Sequence, residues 1–297
     1  MKLALRRLKD VLRANEFDII FIAREAFITG SSFFEQQLAK RKARIIYDFD
    51  DAIWMDVISA NNHWFSWLKS GAKTGRIIRV ADLVFAGNNY LASYARAFND
   101  NVVVVPTTID TGLYQPDYSV KKEKITIGWS GSVSTIEHFQ HAIPALMLLK
   151  KMYGEKIEIK VIGDKNFKNE ALGITGISWL METELQDLRS IDVGIMPLPN
   201  NEWTLGKCGL KGLQYMALEI PTVMSPVGVN KEIIDDGFNG YLADSKEDWV
   251  EKISLLIENP DLRIQIGKQG RKTVIERFSV ESQKELFLRY IYSLIKN

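Results

Sequence analysis

Cysteine is nearly missing from this sequence: Cys208 is the single one in 297 residues, which excludes an internal disulfide and fits a reducing compartment. Histidine is scarce as well, with three in all, so a histidine-built metal centre has little to draw on. No apolar run reaches the length that spans a bilayer, and the first residues lack the apolar core of a signal peptide. A cytoplasmic location is therefore the default expectation. Neither sign of charge dominates, with 38 Lys and Arg against 37 Asp and Glu; there is no global field for nucleic acid, and any anion site has to be local. What is present is an ordinary globular composition, 46% hydrophobic and 25% charged, in a chain long enough for two domains with a core each.

Residues 1–15 read as a helix with Lys2, Arg6, Lys9 and Arg13 along one stripe and Leu5, Leu8 and Leu12 along another. An outer helix with a basic exterior fits best, and contact with an anionic membrane surface stays open beside it. Strands are expected at 18–23, 44–47, 83–86 and 101–105, with helices over 31–41, 62–80 and 88–98, which is βαβ grammar. His63, Trp64, Phe65 and Trp67 cluster in the second of these helices and read as core or interface filler before a sugar platform. Residues 107–124, with Gly112 and Pro116, read as a linker. The pattern restarts with strands at 125–129, 156–162, 177–180, 191–197 and 220–225 and helices over 136–151, 183–189, 206–218, 248–257, 260–278 and 281–296. The expected fold is α/β, with a doubly wound parallel sheet. Such sheets bind ligands at the carboxyl ends of their strands, which brings the loops after Trp129, Gly163, Pro197 and Ser225 to one edge.

The chemistry concentrates around residues 206–218. As a continuous helix this stretch places Lys207, Lys211 and Gln214 at i, i+4 and i+7 on one face, with Leu210, Leu213 and Ala217 on another. Open N–H groups and the positive end of the helix dipole favour an anion there, and two ammonium groups suit a diphosphate; on spacing alone, a solvated lysine face fits equally well. The small-residue loop Ser130-Gly131-Ser132 precedes a helix for which Ser134 and Glu137 form a capping box. A second tight loop runs through Val227, Gly228, Val229 and Asn230. Asp48, Asp50 and Asp51 follow a strand; they read as turn and cap residues before a D-x-D metal site. Glu137, His138 and His141 share a helix but lack a further ligand, so packed or solvated histidines are expected and no metal.

The succession Asp192-Val-Gly-Ile-Met-Pro-Leu-Pro, Trp203, Gly206-Lys-Cys-Gly, Lys211, Gln214-Tyr-Met-Ala, Pro221-Thr-Val and Ser225-Pro-Val-Gly-Val-Asn-Lys-Glu resembles the donor half of GT-B glycosyltransferases, more narrowly the group 1, GT4-like family of bacterial cell-surface polysaccharide synthesis. Tyr47-Asp-Phe-Asp-Asp-Ala-Ile-Trp54, Ala86-Gly-Asn88, Pro106-Thr-Thr-Ile-Asp110 and Ile127-Gly-Trp-Ser-Gly-Ser132 extend the resemblance over nearly the whole chain. It implies two Rossmann-like domains facing a cleft, 1–118 on the acceptor side and 119–278 binding the nucleotide-sugar, with a last helix, 279–297, crossing back. It also implies a retaining glycosyltransferase with no cofactor beyond its donor, acting on a glycan or lipid-linked acceptor. With the expected lack of a membrane span and the basic first helix, the location expected is the cytoplasm or the inner face of the membrane. Lys207 and Lys211 take the catalytic role. Ser130, Gly131, Ser132, Asp164, Trp203, Gly206, Gln214, Val227, Gly228, Val229 and Asn230 are the donor set, and Arg24, Asp50 and Asp51 the acceptor set.

Two departures stand out. The family's E-x7-E signature falls on Gly206 and Gln214, which leaves the first glutamate's sugar contact to Glu202 or to backbone. The sequence also opens on a helix, so a shortened first domain is expected. A nucleotide-sugar-binding fragment or pseudoenzyme, and a GT-B-like epimerase, are the alternatives.

Overall fold

A computed structural model describes residues 2–55, 71–119 and 123–295. The aromatic cluster at His63, Trp64, Phe65 and Trp67 lies outside the described residues. In chain order the strands are β1 Ile19–Ala23, β2 Arg44–Phe49, β3 Leu83–Ala86, β4 Val102–Val104, β5 Ile125–Ser130, β6 Ile157–Ile162, β7 Lys168–Asn169, β8 Ile174–Thr175, β9 Val193–Met196, β10 Thr222–Met224 and β11 Tyr241–Leu242. The helices are α1 Lys2–Arg13, α2 Phe33–Leu38, α3 Gly71–Val80, α4 Asn89–Arg96, α5 Ile136–Gln140, α6 Ile143–Tyr153, α7 Glu184–Arg189, α8 Glu202–Leu205, α9 Leu210–Ala217, α10 Asn230–Ile233, α11 Lys246–Glu258, α12 Pro260–Thr273 and α13 Val280–Ile295. Two compact units result: Met1–Thr107 with Asn201–Cys208 and Lys284–Asn297, and Thr108–Asn200 with Gly209–Gln283.

The first unit is built on a parallel sheet in the order β1-β2-β3-β4. Alternation along β2 decides its two faces. Ile45, Tyr47 and Phe49 enter a core with Ile77, Ile78, Leu91, Ala92 and Ala95, whereas Ile46 joins Leu83 and Phe85 on the opposite face, against Phe287, Tyr290, Ile291 and Leu294 of α13. Phe85 and Phe287 meet with ring centroids 5.3 Å apart. Asn88 caps α4 through its side-chain oxygen, which accepts from Leu91 N. In α1 the leucine stripe is not a core face: Val11 is the buried residue, while Leu5, Leu8 and Leu12 are 54%, 42% and 65% exposed.

The second unit carries a five-stranded parallel sheet in the order β11-β10-β9-β5-β6. One face packs on α6, α11 and α12 through Leu146, Leu149, Trp249, Ile253, Leu256 and Ile266; the other holds Ile162, Leu188, Ile191, Tyr215, Leu218 and Ile220. Strand order reverses between β5 and β9, the switch point at which such sheets take ligands. Gly128 and Gly194 pair across it, and a Cβ on Gly194 would stand 2.5 Å from the Tyr215 ring.

Several elements differ from the sequence reading. The helix over 136–151 is two, α5 and α6, since Pro144 falls in the first turn of α6 and cannot continue a helix. The capping box belongs to Ser132 and Thr135, around a short 3-10 turn, rather than to Ser134 and Glu137. Residues 177–180 form no strand; Ile177 makes an isolated bridge to Ile162. The β7–β8 hairpin and β11 carry two residues per strand, too few for a periodicity. His138 is buried, as expected of a packed histidine.

Candidate active site

At the carboxyl edge of the second sheet, β9 is followed by the loop that returns as α9. Gly209, with φ 74°, starts this helix, and no side chain caps it; only a residue without Cβ takes that left-handed conformation freely. The helix therefore begins at Leu210, and the expected single face bearing both lysines does not form: Lys211 lies in the first turn of α9, whereas Lys207 precedes it and belongs to the other unit. Leu210 is 43% exposed, while Leu213 and Ala217 are buried.

Lys211 sits in a polar cluster confined to the second unit. Its Nζ donates to Gln214 Oε1 at 3.0 Å and lies 3.8 Å from Glu184 Oε1. Gln214 Nε2 donates to Tyr114 OH at 2.6 Å and to Glu184 Oε1 at 3.1 Å. Tyr114 OH and Trp179 Nε1 each donate to Glu184 at 2.8 Å. Burial lowers the Lys211 pKa and the Glu184 charge opposes it. Burial likewise works against the Glu184 carboxylate, but the bonds from Trp179, Tyr114 and Gln214 bring its pKa below the ordinary value. Tyr114 is pushed up to about 12 by burial and by its bond to Glu184, so the phenol stays neutral. An ammonium with limited solvent, held beside an open helix N-terminus, is a device for a phosphate group.

The neighbouring loops contribute differently from expectation. The amides of residues 130–132 are engaged within the unit: Ser130 N donates to Tyr215 OH, Gly131 N to Ile162 O and Ser132 N to Thr135 Oγ1. They are not the free N–H set the small-residue loop suggested, because the Tyr215 hydroxyl, the β6 end and the 3-10 turn consume one each. Ser130 Oγ, in contrast, is buried with no hydrogen-bond partner among the described residues. Asp164 makes a turn, accepting from Asn166 N at 2.8 Å. Gly228 has φ 53°, Val227 and Val229 are buried, and Asn230 binds Ser225 O through Nδ2 at 3.0 Å; no side chain caps α10.

In the first unit, residues 201–208 are pinned at the carboxyl ends of β2 and β3. Asn201 and Thr204 form the capping box of α8. Asn88 Nδ2 donates to Leu205 O and Lys207 O at 3.2 and 3.0 Å, Cys208 Sγ meets Asp50 O at 3.2 Å, and Gly206 lies so close to Ala52 that a Cβ would stand 2.7 Å from it. Lys207 Nζ is bound to Asp51 Oδ2 at 2.9 Å and stands 3.8 Å from the Trp203 ring centroid. Arg24, at φ 61°, pairs with Asp50 at 2.8 Å. Asp48 is raised to about 6 by burial, then by the Asp50 charge, against Arg24. Among the described residues no group of three His, Cys, Asp or Glu is placed to hold a metal.

The structure thus divides the residues singled out from sequence: Lys211, Gln214, Asp164 and the 130–132 and 227–230 loops are in the second unit, and Arg24, Asp50, Asp51, Trp203, Gly206 and Lys207 in the first. Glu184, Tyr114 and Trp179 were missed, because no spacing joins position 114, which reads as linker, to a helix start at 184.

Residues 114–273, just over half of the chain, match the family of glycosyl transferases group 1. An uncharacterized glycosyltransferase of Methanocaldococcus jannaschii is 39% identical over 75 residues, 25% of this chain and 21% of that protein. The matched stretches span between 21% and 24% of the length of three curated relatives. Among solved structures, a glycosyltransferase from Rickettsia africae aligns over 99% of this chain and 82% of its own at TM-score 0.73 and 14% identity. HepE of Anabaena, solved with UDP and glucose, aligns over 98% and 82% at TM-score 0.71 and 17% identity. At such identities the likeness establishes the fold, two Rossmann-like units of the GT-B type. With the family match covering the unit that holds Lys211, Gln214 and Glu184, the chain belongs to the glycosyl transferases group 1 family.

Proposed function

We propose that this protein transfers a glycosyl group from a nucleotide-sugar to an acceptor hydroxyl. The observation that carries this reading is the Lys211 ammonium in the first turn of α9, a helix with no side-chain cap at the switch-point edge of a parallel sheet. There it would neutralise the charge that develops on a departing diphosphate, an interaction stronger in the transition state than in the ground state. The residues around it, Gln214 and the 227–230 loop, would face ribose and sugar hydroxyls. Arg24, Asp50 and Asp51 are assigned to the acceptor side, and retention at the anomeric carbon follows from the family resemblance. Lys207, paired with Asp51, orders the acidic end of β2 in this reading.

HepE, a structural neighbour, holds UDP, so uridine diphosphate sugars are the first donors to test. Purified protein is offered a nucleotide-sugar panel with glycan and lipid-linked acceptors, and nucleoside diphosphate release is followed. Acceptor-dependent release supports the reading; donor binding without release would favour a binding fragment, and interconversion of the donor sugar an epimerase. For the acceptor, α1 is informative: Lys2, Arg6, Lys9 and Arg13 accompany exposed Leu3, Leu5, Leu8 and Leu12, a composition suited to peripheral contact with an anionic bilayer. Cosedimentation with anionic and neutral vesicles tests this, and equal recovery with both would reject it.

A further inference from the structure

Glu184 is held more firmly than a solvated carboxylate. Three donors from separate parts of the second unit converge on it: Trp179 Nε1 at 2.8 Å, Tyr114 OH at 2.8 Å and Gln214 Nε2 at 3.1 Å, and its side chain is 15% exposed. These bonds also orient Gln214. With Nε2 committed to Glu184 and Tyr114, the amide presents Oε1 to Lys211 at 3.0 Å. The lysine is thereby fixed twice, by the amide oxygen it donates to and by the carboxylate 3.8 Å away.

We propose that Glu184 is a positioning residue for Lys211, holding its ammonium charged and in one orientation at the start of α9. The inference rests on the reading of Lys211 as the cation that receives the diphosphate. Its physical content is a balance of charge in a partly desolvated place. Burial lowers the Lys211 pKa, and Glu184 is the charge that raises it again. Among the described residues the other groups packed here supply no second anion: Tyr114 is a neutral phenol, Gln214 is an amide, and Arg271 of α12 is bound to the Ala217 carbonyl at the opposite end of α9 and to the Tyr114 carbonyl. Without Glu184 the lysine would lose its proton at a lower pH, and the diphosphate would meet a neutral amine.

The test is calorimetric binding of UDP and of inorganic pyrophosphate to the full chain, from about pH 6.5 to about pH 9.5, for wild type, Glu184→Gln, Lys211→Met and the double variant. Wild-type affinity is expected to stay nearly level. Glu184→Gln is expected to approach wild type at the acid end and to fall at least about tenfold below it at the alkaline end. Lys211→Met is expected to bind weakly throughout, and the double variant to follow Lys211→Met without the slope. A merely structural role for Glu184 would weaken binding equally at every pH. That result, with Lys211→Met still weak, overturns the positioning role and leaves the diphosphate reading standing. Wild-type affinity in Lys211→Met overturns both. Should Glu184→Gln fail to fold, the Lys211 side-chain carbon resonances of labelled wild type are titrated by NMR: a charge kept to about pH 9 supports the role, and a midpoint near neutrality overturns it.

Discussion

Lys207 Nζ lies 2.9 Å from Asp51 Oδ2, joining side chains 156 positions apart in sequence. Both are about one-fifth exposed, at 19% and 20%, and the ammonium also rests against Trp203. A lysine that spacing assigns to a phosphate site is thus the counter-ion of an acidic strand end.

Removing one member of this pair leaves the other partly buried without its charge. Asp51→Asn is expected to cost about 1–3 kcal/mol of stability, and Asp51→Asn with Lys207→Met to cost less than the sum of the two single changes. Urea denaturation of the four proteins measures the coupling; strict additivity would show that the ion pair contributes nothing.

Gly209 fixes where α9 begins. A Cβ there would stand 2.4 Å from Ile233 Cδ1, at φ 74°. Gly209→Ala is expected to destabilise by roughly 2–4 kcal/mol, combining left-handed strain with overpacking. Chemical denaturation reads this directly, and a change below about 0.5 kcal/mol would contradict the assigned helix start.

Asp48 supplies a pH dependence. Its pKa in the fold is about 6 against an ordinary 3.8, through burial first and the Asp50 charge second. The fold therefore binds a proton that the unfolded chain has already released. The stability so gained is fully present below 3.8 and lost as pH rises through about 6. Asp48→Asn is expected to raise the melting temperature at neutral pH by a few degrees, on the order of 2 kcal/mol, and to change it little near pH 4. A gain of the same size at both pH values would rule out ionisation of Asp48 as the cause.

Much of the fold is legible in local patterns, and what is not legible is non-local. The run Leu83–Ala86 is a strand at both ends as read, because four apolar residues between an aspartate and a Gly-Asn turn leave little choice. Asn88 announces α4 by the same local chemistry. The face of Lys207, Lys211 and Gln214 fails because helical spacing assumes an unbroken helix, and Gly209 breaks it while Cys208 and Asn88 anchor the preceding residues to β2 and β3. The loop at 130–132 is visible as small residues, but the engagement of its amides by Tyr215, Ile162 and Thr135 is a tertiary fact. Glu184 is the clearest omission: its three donors come from positions 114, 179 and 214, and no periodicity connects them.

The most direct measurement is turnover. Wild type and Lys211→Met are given the same nucleotide-sugar and acceptor panel, with melting temperature recorded beside the rate of nucleoside diphosphate release. Acceptor-dependent release by wild type, reduced about 100-fold or more in a folded Lys211→Met protein, is the expected result. Equal rates in the two proteins would contradict the assignment of Lys211 to the departing diphosphate.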